Sequence, residues 1–133
     1  MMNRESLDTN VLLRFTLNDL PAQYQRATEL IFGSAGKKFL VQDTAFIEYV
    51  HALSAHYHKT RPQITEMVTY LVQLREIVCN EEAILTTCAV YIDHPALSFE
   101  DCYLSTMAQL SEAVPLYTFD KKLAAQHQSV KLL

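Results

Sequence analysis

The sequence predicts an α/β protein built on a parallel sheet. Short apolar runs alternate along the chain with longer stretches of helical period, as in successive βαβ units. Half of the residues are apolar and a fifth are charged, the balance of a chain that buries a core. At 133 residues the length suits one domain, 1–133, with no Pro-, Gly- or Ser-rich linker to divide it.

The elements follow in order. A strand is expected near Arg4 to Leu7, then a short helix carrying Val11, Leu12, Leu13 and Phe15. Asn18 and Asp19 mark a turn, and Pro21 opens the next helix, where its missing N–H costs nothing. Gly33 and Gly36 are expected to end it. Phe39, Leu40 and Val41 form the second strand, leading into a helix with Phe46, Ile47, Val50 and Leu53 at helical spacing and an end near His58. Pro62 starts a helix with a stripe of Ile64, Met67, Val68, Leu71 and Leu74. Tyr70 and Val72 lie off that stripe, which predicts either deep burial or a partner surface, with burial preferred. Ile77, Val78 and Cys79 make a third strand, and Asn80 caps a helix containing Ile84, Leu85, Cys88, Ala89 and Ile92. Ser98 opens another helix. Leu116 to Thr118 form a fourth strand, residues 121–127 a last short helix, and Val130 to Leu133 a fifth strand.

Several function classes are disfavoured early. No apolar run approaches the roughly 18 residues of a membrane span, and Arg4, Glu5 and Asp8 interrupt what a secretory leader would need, so a cytoplasmic protein without membrane contact is expected. The three cysteines, Cys79, Cys88 and Cys102, show no Cys-x-x-Cys spacing and read as buried thiols. The only glycines, Gly33 and Gly36, form no phosphate-cradling loop, which removes dinucleotide-binding and P-loop readings. With 11 basic and 15 acidic residues, a net charge of −4 argues against coating nucleic acid by charge alone; any such contact must be local.

The acids carry the chemistry. Asp8, Asp43 and Asp120 each follow an expected strand, where an aspartate serves as a helix cap. Asp101, three residues after Ser98, resembles the acid of a capping box. Glu48 has no such excuse, lying beyond the first turn among Phe46, Ile47, Tyr49 and Val50, although a solvated outer face would also account for it. Taken together, acids at the carboxyl ends of parallel strands converge on the crevice where ligands bind. If Glu48 and Asp101 point the same way, four carboxylates share one pocket, which repulsion disfavours unless a divalent cation is held. An all-oxygen donor set suits magnesium or manganese better than zinc.

The segment Leu7-Asp8-Thr9-Asn10-Val11-Leu12-Leu13 resembles the opening motif of PIN domains, especially the VapC-type toxins. Glu48 falls at that family's helical Glu, Phe99-Glu100-Asp101-Cys102-Tyr103 resembles its third-acid segment, and Thr118-Phe119-Asp120 its fourth. The resemblance covers nearly the whole chain. It implies a three-layer α/β/α fold with a five-stranded parallel sheet, and a magnesium- or manganese-dependent endoribonuclease, the toxin of a type II toxin-antitoxin system. Asp8, Glu48, Asp101 and Asp120 would be the catalytic, metal-binding acids. Thr118 would position a water or a carboxylate, and Asn10 would orient Asp8. The implied partners are an RNA substrate, a VapB-like antitoxin and a second copy in a homodimer. Asp43 matches no family acid and stays a helix cap.

Other polar features are weaker. No pair among His51, His56 and His58 has the four-residue helical spacing of a zinc site, so helix-end or surface roles are expected. Lys37-Lys38 and Lys121-Lys122 read as solvated surface, though the second pair adjoins Asp120 and suits RNA phosphates. A haloacid-dehalogenase-like phosphatase would need an acid where Asn10 stands, and a receiver domain would need paired acids after the first strand. The remaining alternative is a catalytically inactive PIN-like interaction module, which the retention of all four acids opposes.

Overall fold

Every expected strand and helix has a counterpart in the computed structural model, which describes residues 4–126 and 128–133. The order is β1 (Glu5–Ser6), α1 (Thr9–Leu17), α2 (Pro21–Gly33), β2 (Phe39–Leu40), α3 (Asp43–Ala55), α4 (Arg61–Gln73), β3 (Ile77–Val78), α5 (Glu81–Asp93), α6 (Phe99–Leu110), β4 (Leu116–Thr118), α7 (Lys121–Gln126) and β5 (Val130–Leu132). The class is α/β, and among the described residues all strand pairing is parallel. Among the described residues, the strands fall into a three-stranded sheet, β1-β2-β3, and a two-stranded sheet, β4-β5. The chain divides correspondingly into two compact units, Met1–Glu81 and Glu82–Leu133. No helix is long and apolar enough to cross a membrane among the described residues.

In the first unit, Glu5 and Ser6 pair with Phe39 and Leu40, which pair in turn with Ile77 and Val78. Backbone bonds continue one residue further, from Leu7 N–H to Leu40 O at 3.0 Å and from Val41 N–H to Val78 O at 2.9 Å. Helices take over within a few residues, which is why the strands are short. Asp8 is extended (φ −92°, ψ 176°) and caps α1. Asn18, left-handed at φ 52°, ends that helix; asparagine tolerates this conformation better than most residues. Pro21 sits at the start of α2, as expected, and Gly36 takes φ 73° in the loop before β2.

The core of this unit follows helical spacing. Phe46, Tyr49, Val50 and Leu53 form the buried stripe of α3; Ile64, Val68, Leu71 and Val72 form that of α4. With α1 packed on α2 and α3, and α3 on α4, these residues enclose Leu12, Ile31, Phe39 and Val41. Burying each such side chain contributes roughly 1.5–3 kcal/mol. Val72 is therefore core, whereas Tyr70 is 48% exposed, stacked beside Phe15 with ring centroids 6.4 Å apart. Two expected boundaries are corrected. The α3 helix ends at Ala55 rather than near His58, because His58 adopts φ 53° and cannot continue it. Asp43 is the first helical residue, and Gln42 holds the cap position. The start of α4 is set by a capping box in which Thr60 Oγ1 accepts from Gln63 N–H and Gln63 Oε1 accepts from Thr60 N–H.

In the second unit, Ser98 Oγ accepts from Asp101 N–H at 3.1 Å and caps α6. Tyr91 of α5 meets Phe99 of α6 edge to face at 5.3 Å. Ala83, Ile84, Cys88, Cys102, Leu123 and Val130 are buried. Leu116, Tyr117 and Thr118 pair with Val130, Lys131 and Leu132, while α7 packs on β4 and β5. Residue 127, expected to close the last helix, lies outside the described residues.

Candidate functional site

Asp8 and Glu48 come together although 40 positions separate them in sequence. Both line one cleft of about 300 Å³, with Thr9, Asn10, Gln42 and Thr44 among its walls. The cleft opens where the chain leaves the carboxyl ends of β1 and β2 for α1 and α3, the usual position of a ligand crevice in a parallel sheet.

Local structure accounts for each side chain. Val11 N–H donates to Asp8 Oδ1 at 3.1 Å, so the cap bond also fixes the carboxylate. Glu48 is exposed on α3, next in sequence to the fully buried Tyr49. Thr9, in the first turn of α1, shares its hydroxyl proton between Glu48 Oε2 and Ala45 O, each at 3.1 Å. Two turns further along α1, Thr16 Oγ1 lies 2.9 Å from the Tyr49 hydroxyl. Thr9 and Thr16 stand on one face of α1 and tie it to α3 at both ends of their contact. Burial pushes the Tyr49 phenol up to about 12, against the opposing pull of the Thr16 hydrogen bond.

Asp101 and Asp120 belong to the second unit. Asp101 is half-buried in the first turn of α6, where its backbone N–H is bound by Ser98. Asp120 is exposed at the start of α7, with Oδ1 accepting from Lys122 N–H at 2.8 Å and Leu123 N–H at 3.3 Å. Thr118 Oγ1 accepts from Asp120 N–H at 3.0 Å, so Thr118 steadies the backbone that carries this acid. Lys121 and Lys122 are exposed beside it. Asn10 lines the same cleft as Asp8, but the hydrogen bond that orients Asp8 comes from Val11.

Within either unit, among the described residues, no three His, Cys, Asp or Glu side chains form a metal-binding cluster. The donors that Asp8, Glu48, Thr9, Asn10, Gln42 and Thr44 bring to the first unit's cleft are oxygens, with the Asn10 and Gln42 amide nitrogens in addition. Magnesium is commonly held by one or two carboxylates together with water and substrate phosphate, and a two-carboxylate cleft fits that habit. Neither histidine nor cysteine lines it, which disfavours zinc.

Thr9 is the residue that reading the sequence missed. A threonine in a first helical turn is ordinary, and only its meeting with Glu48 reveals a role. Asp43 lines a neighbouring cleft with Gln42 and Asn80, close in sequence to β3. Cys79 is half-buried, its thiol pushed up to about 11 by burial first and then by Glu81 and Asp43. Cys88 is buried, and burial pushes its thiol up to about 12. His51 and His56 lie edge to face, ring centroids 6.4 Å apart, and both are exposed. No family model, no curated protein and no solved structure matches the chain.

Proposed function

We propose that the chain is a magnesium- or manganese-dependent endoribonuclease of the PIN-domain type, acting as the toxin of a toxin-antitoxin pair. The observation that carries this reading is the cleft where Asp8 and Glu48 meet at the carboxyl end of a parallel sheet, with Thr9 bonded to Glu48. Asp101 and Asp120 complete the acid set in this reading, each in a unit of α/β character and each at a helix start. The finer fold it requires is a three-layer α/β/α arrangement with the five strands in one sheet.

In this mechanism Asp8 and Glu48 would hold the cation through their carboxylate oxygens. Val11 N–H and Thr9 Oγ1 hold those oxygens in place before substrate arrives. When bound, magnesium or manganese supplies positive charge against the phosphate and makes a neighbouring water a better nucleophile. Asn10 offers an amide to the phosphodiester at the cleft wall. A VapB-like antitoxin and a homodimer belong to the same reading. The exposed Phe32 and Tyr70, gathered around Phe15, give an apolar face that suits a protein partner. Sizing as a monomer, with no small partner co-purifying from co-expression, would remove this part.

Incubating the purified chain with structured RNA and magnesium tests the activity. Cleavage is expected with the wild type and not with Asp8→Asn, while circular dichroism stays unchanged because asparagine also caps a helix. Equal cleavage by both proteins, or cleavage that persists in excess chelator, would refute the assignment.

A further inference from the structure

A second cleft, of about 460 Å³, lies in the first unit between α1 and α2, and its charge is opposite to that of the acid cleft. Arg14 comes from one wall and Arg26 from the other, with Asn10 and Gln23 adding amides. Val11, Ala27 and Leu30 supply apolar lining, and no acid lines it among the described residues. On α2, Gln23, Arg26, Ala27 and Leu30 follow helical spacing, so a single face of that helix is presented. The acid cleft, by contrast, is lined by Asp8 and Glu48 and by no cation. Asn10 lines both.

Arg14 is held in advance. Its Nη1 meets the Asp19 carboxylate at 3.1 Å and its Nη2 donates to the Tyr57 hydroxyl at 2.7 Å. The side chain is only 14% exposed. A guanidinium carries five N–H donors, so those bonds leave donors free for a second acceptor. Arg26, by contrast, is exposed and reaches the cleft from the surface. The Asp19 carboxylate offsets the Arg14 charge, so the groove's excess positive charge is carried by Arg26, a local departure in a chain of net charge −4 that suits an anionic ligand.

We propose that this groove holds phosphates of the polynucleotide strand adjoining the one in the acid cleft, with Arg14 and Arg26 as the phosphate-binding residues. The strand crosses Asn10, with its scissile phosphate on the acidic side and its neighbours on the basic side. The proposal rests on the ribonuclease reading for the direction of the strand, while the opposite charge of the two clefts and the Asn10 they share support it separately. A carboxylate-rich partner helix would also satisfy two arginines, but it would have no reason to continue into a cleft of its own charge.

Binding is measured by fluorescence anisotropy, using a short labelled single-stranded RNA and the full chain carrying Asp8→Asn to prevent cleavage. Adding Arg26→Ala, an exposed change that leaves the Arg14 bonds intact, should weaken binding roughly tenfold and lower the salt slope by about 0.7, the value for one lost single-strand phosphate contact. In the cleaving background the same change should raise KM and leave kcat near its starting value. Unchanged affinity and slope would overturn the proposal. Loss of a co-expressed protein partner with RNA binding intact would overturn it in favour of a protein groove. If the wild type fails to cleave RNA, the ribonuclease reading falls, whereas weaker RNA binding by Arg26→Ala would still uphold the groove.

Discussion

Thr9 and Val11 perform the same service for different acids. One hydroxyl and one amide hold Glu48 and Asp8 in fixed positions, and both come from the first turn of α1. Replacing Thr9 by valine keeps the shape and removes the donor. Activity is expected to fall about 10–100-fold, the usual effect of losing a group that orients a ligand, with a higher magnesium requirement. Thr9→Ser should restore most of it, and a magnesium titration of the three proteins would decide; an equally damaged serine variant would point to packing instead. The acids themselves were legible because strand-end aspartates and an isolated helical glutamate are conspicuous in sequence. Thr9 was not, since its partner lies 39 residues away and no local pattern announces it. The role expected of Asn10 in orienting Asp8 also depended on geometry, and Val11 makes that bond.

At the scale of elements, the pairing of α1 with α3 positions the acid cleft, and the half-buried Tyr49–Thr16 contact belongs to it. The Tyr49 phenol is pushed above its ordinary value of 10.0 to about 12. Its contribution to stability is therefore complete below pH 10 and is lost as pH rises toward 12, because the unfolded tyrosine ionises first. The unfolding free energy of the wild type, read from urea titrations, should fall through that window by an amount on the order of 2 kcal/mol more than that of Tyr49→Phe. Parallel curves for the two proteins would contradict this. Helix starts were readable from Pro21 and Ser98, whose chemistry is local. The end of α3 was not, because the left-handed turn at His58 has no glycine to signal it. Val72 and Tyr70 were inseparable by period alone, and only packing made one core and the other surface.

For the whole molecule, the sequence order of strands and helices conveyed the α/β class and the parallel pairing, since both follow from alternating apolar periods. It did not convey the grouping of strands into sheets of three and two, which depends on contacts distant in sequence. The four-acid reading makes a molecule-wide claim that can be checked by substitution. Asp101→Asn and Asp120→Asn should each reduce RNA cleavage at least as much as Thr9→Val does, with folding preserved by circular dichroism. Full activity in both would confine the chemistry to Met1–Glu81. Net charge concealed the most useful electrostatic fact, that positive and negative clefts lie side by side within that unit. Asn10 is the divider between them, an uncharged amide with an acceptor at one tip and donors at the other. Neutrality there keeps two fields of opposite sign from cancelling across a single side chain. An aspartate in its place would draw Arg26 toward itself and make the basic groove less positive, and a lysine would draw the carboxylates and make the acid cleft less negative.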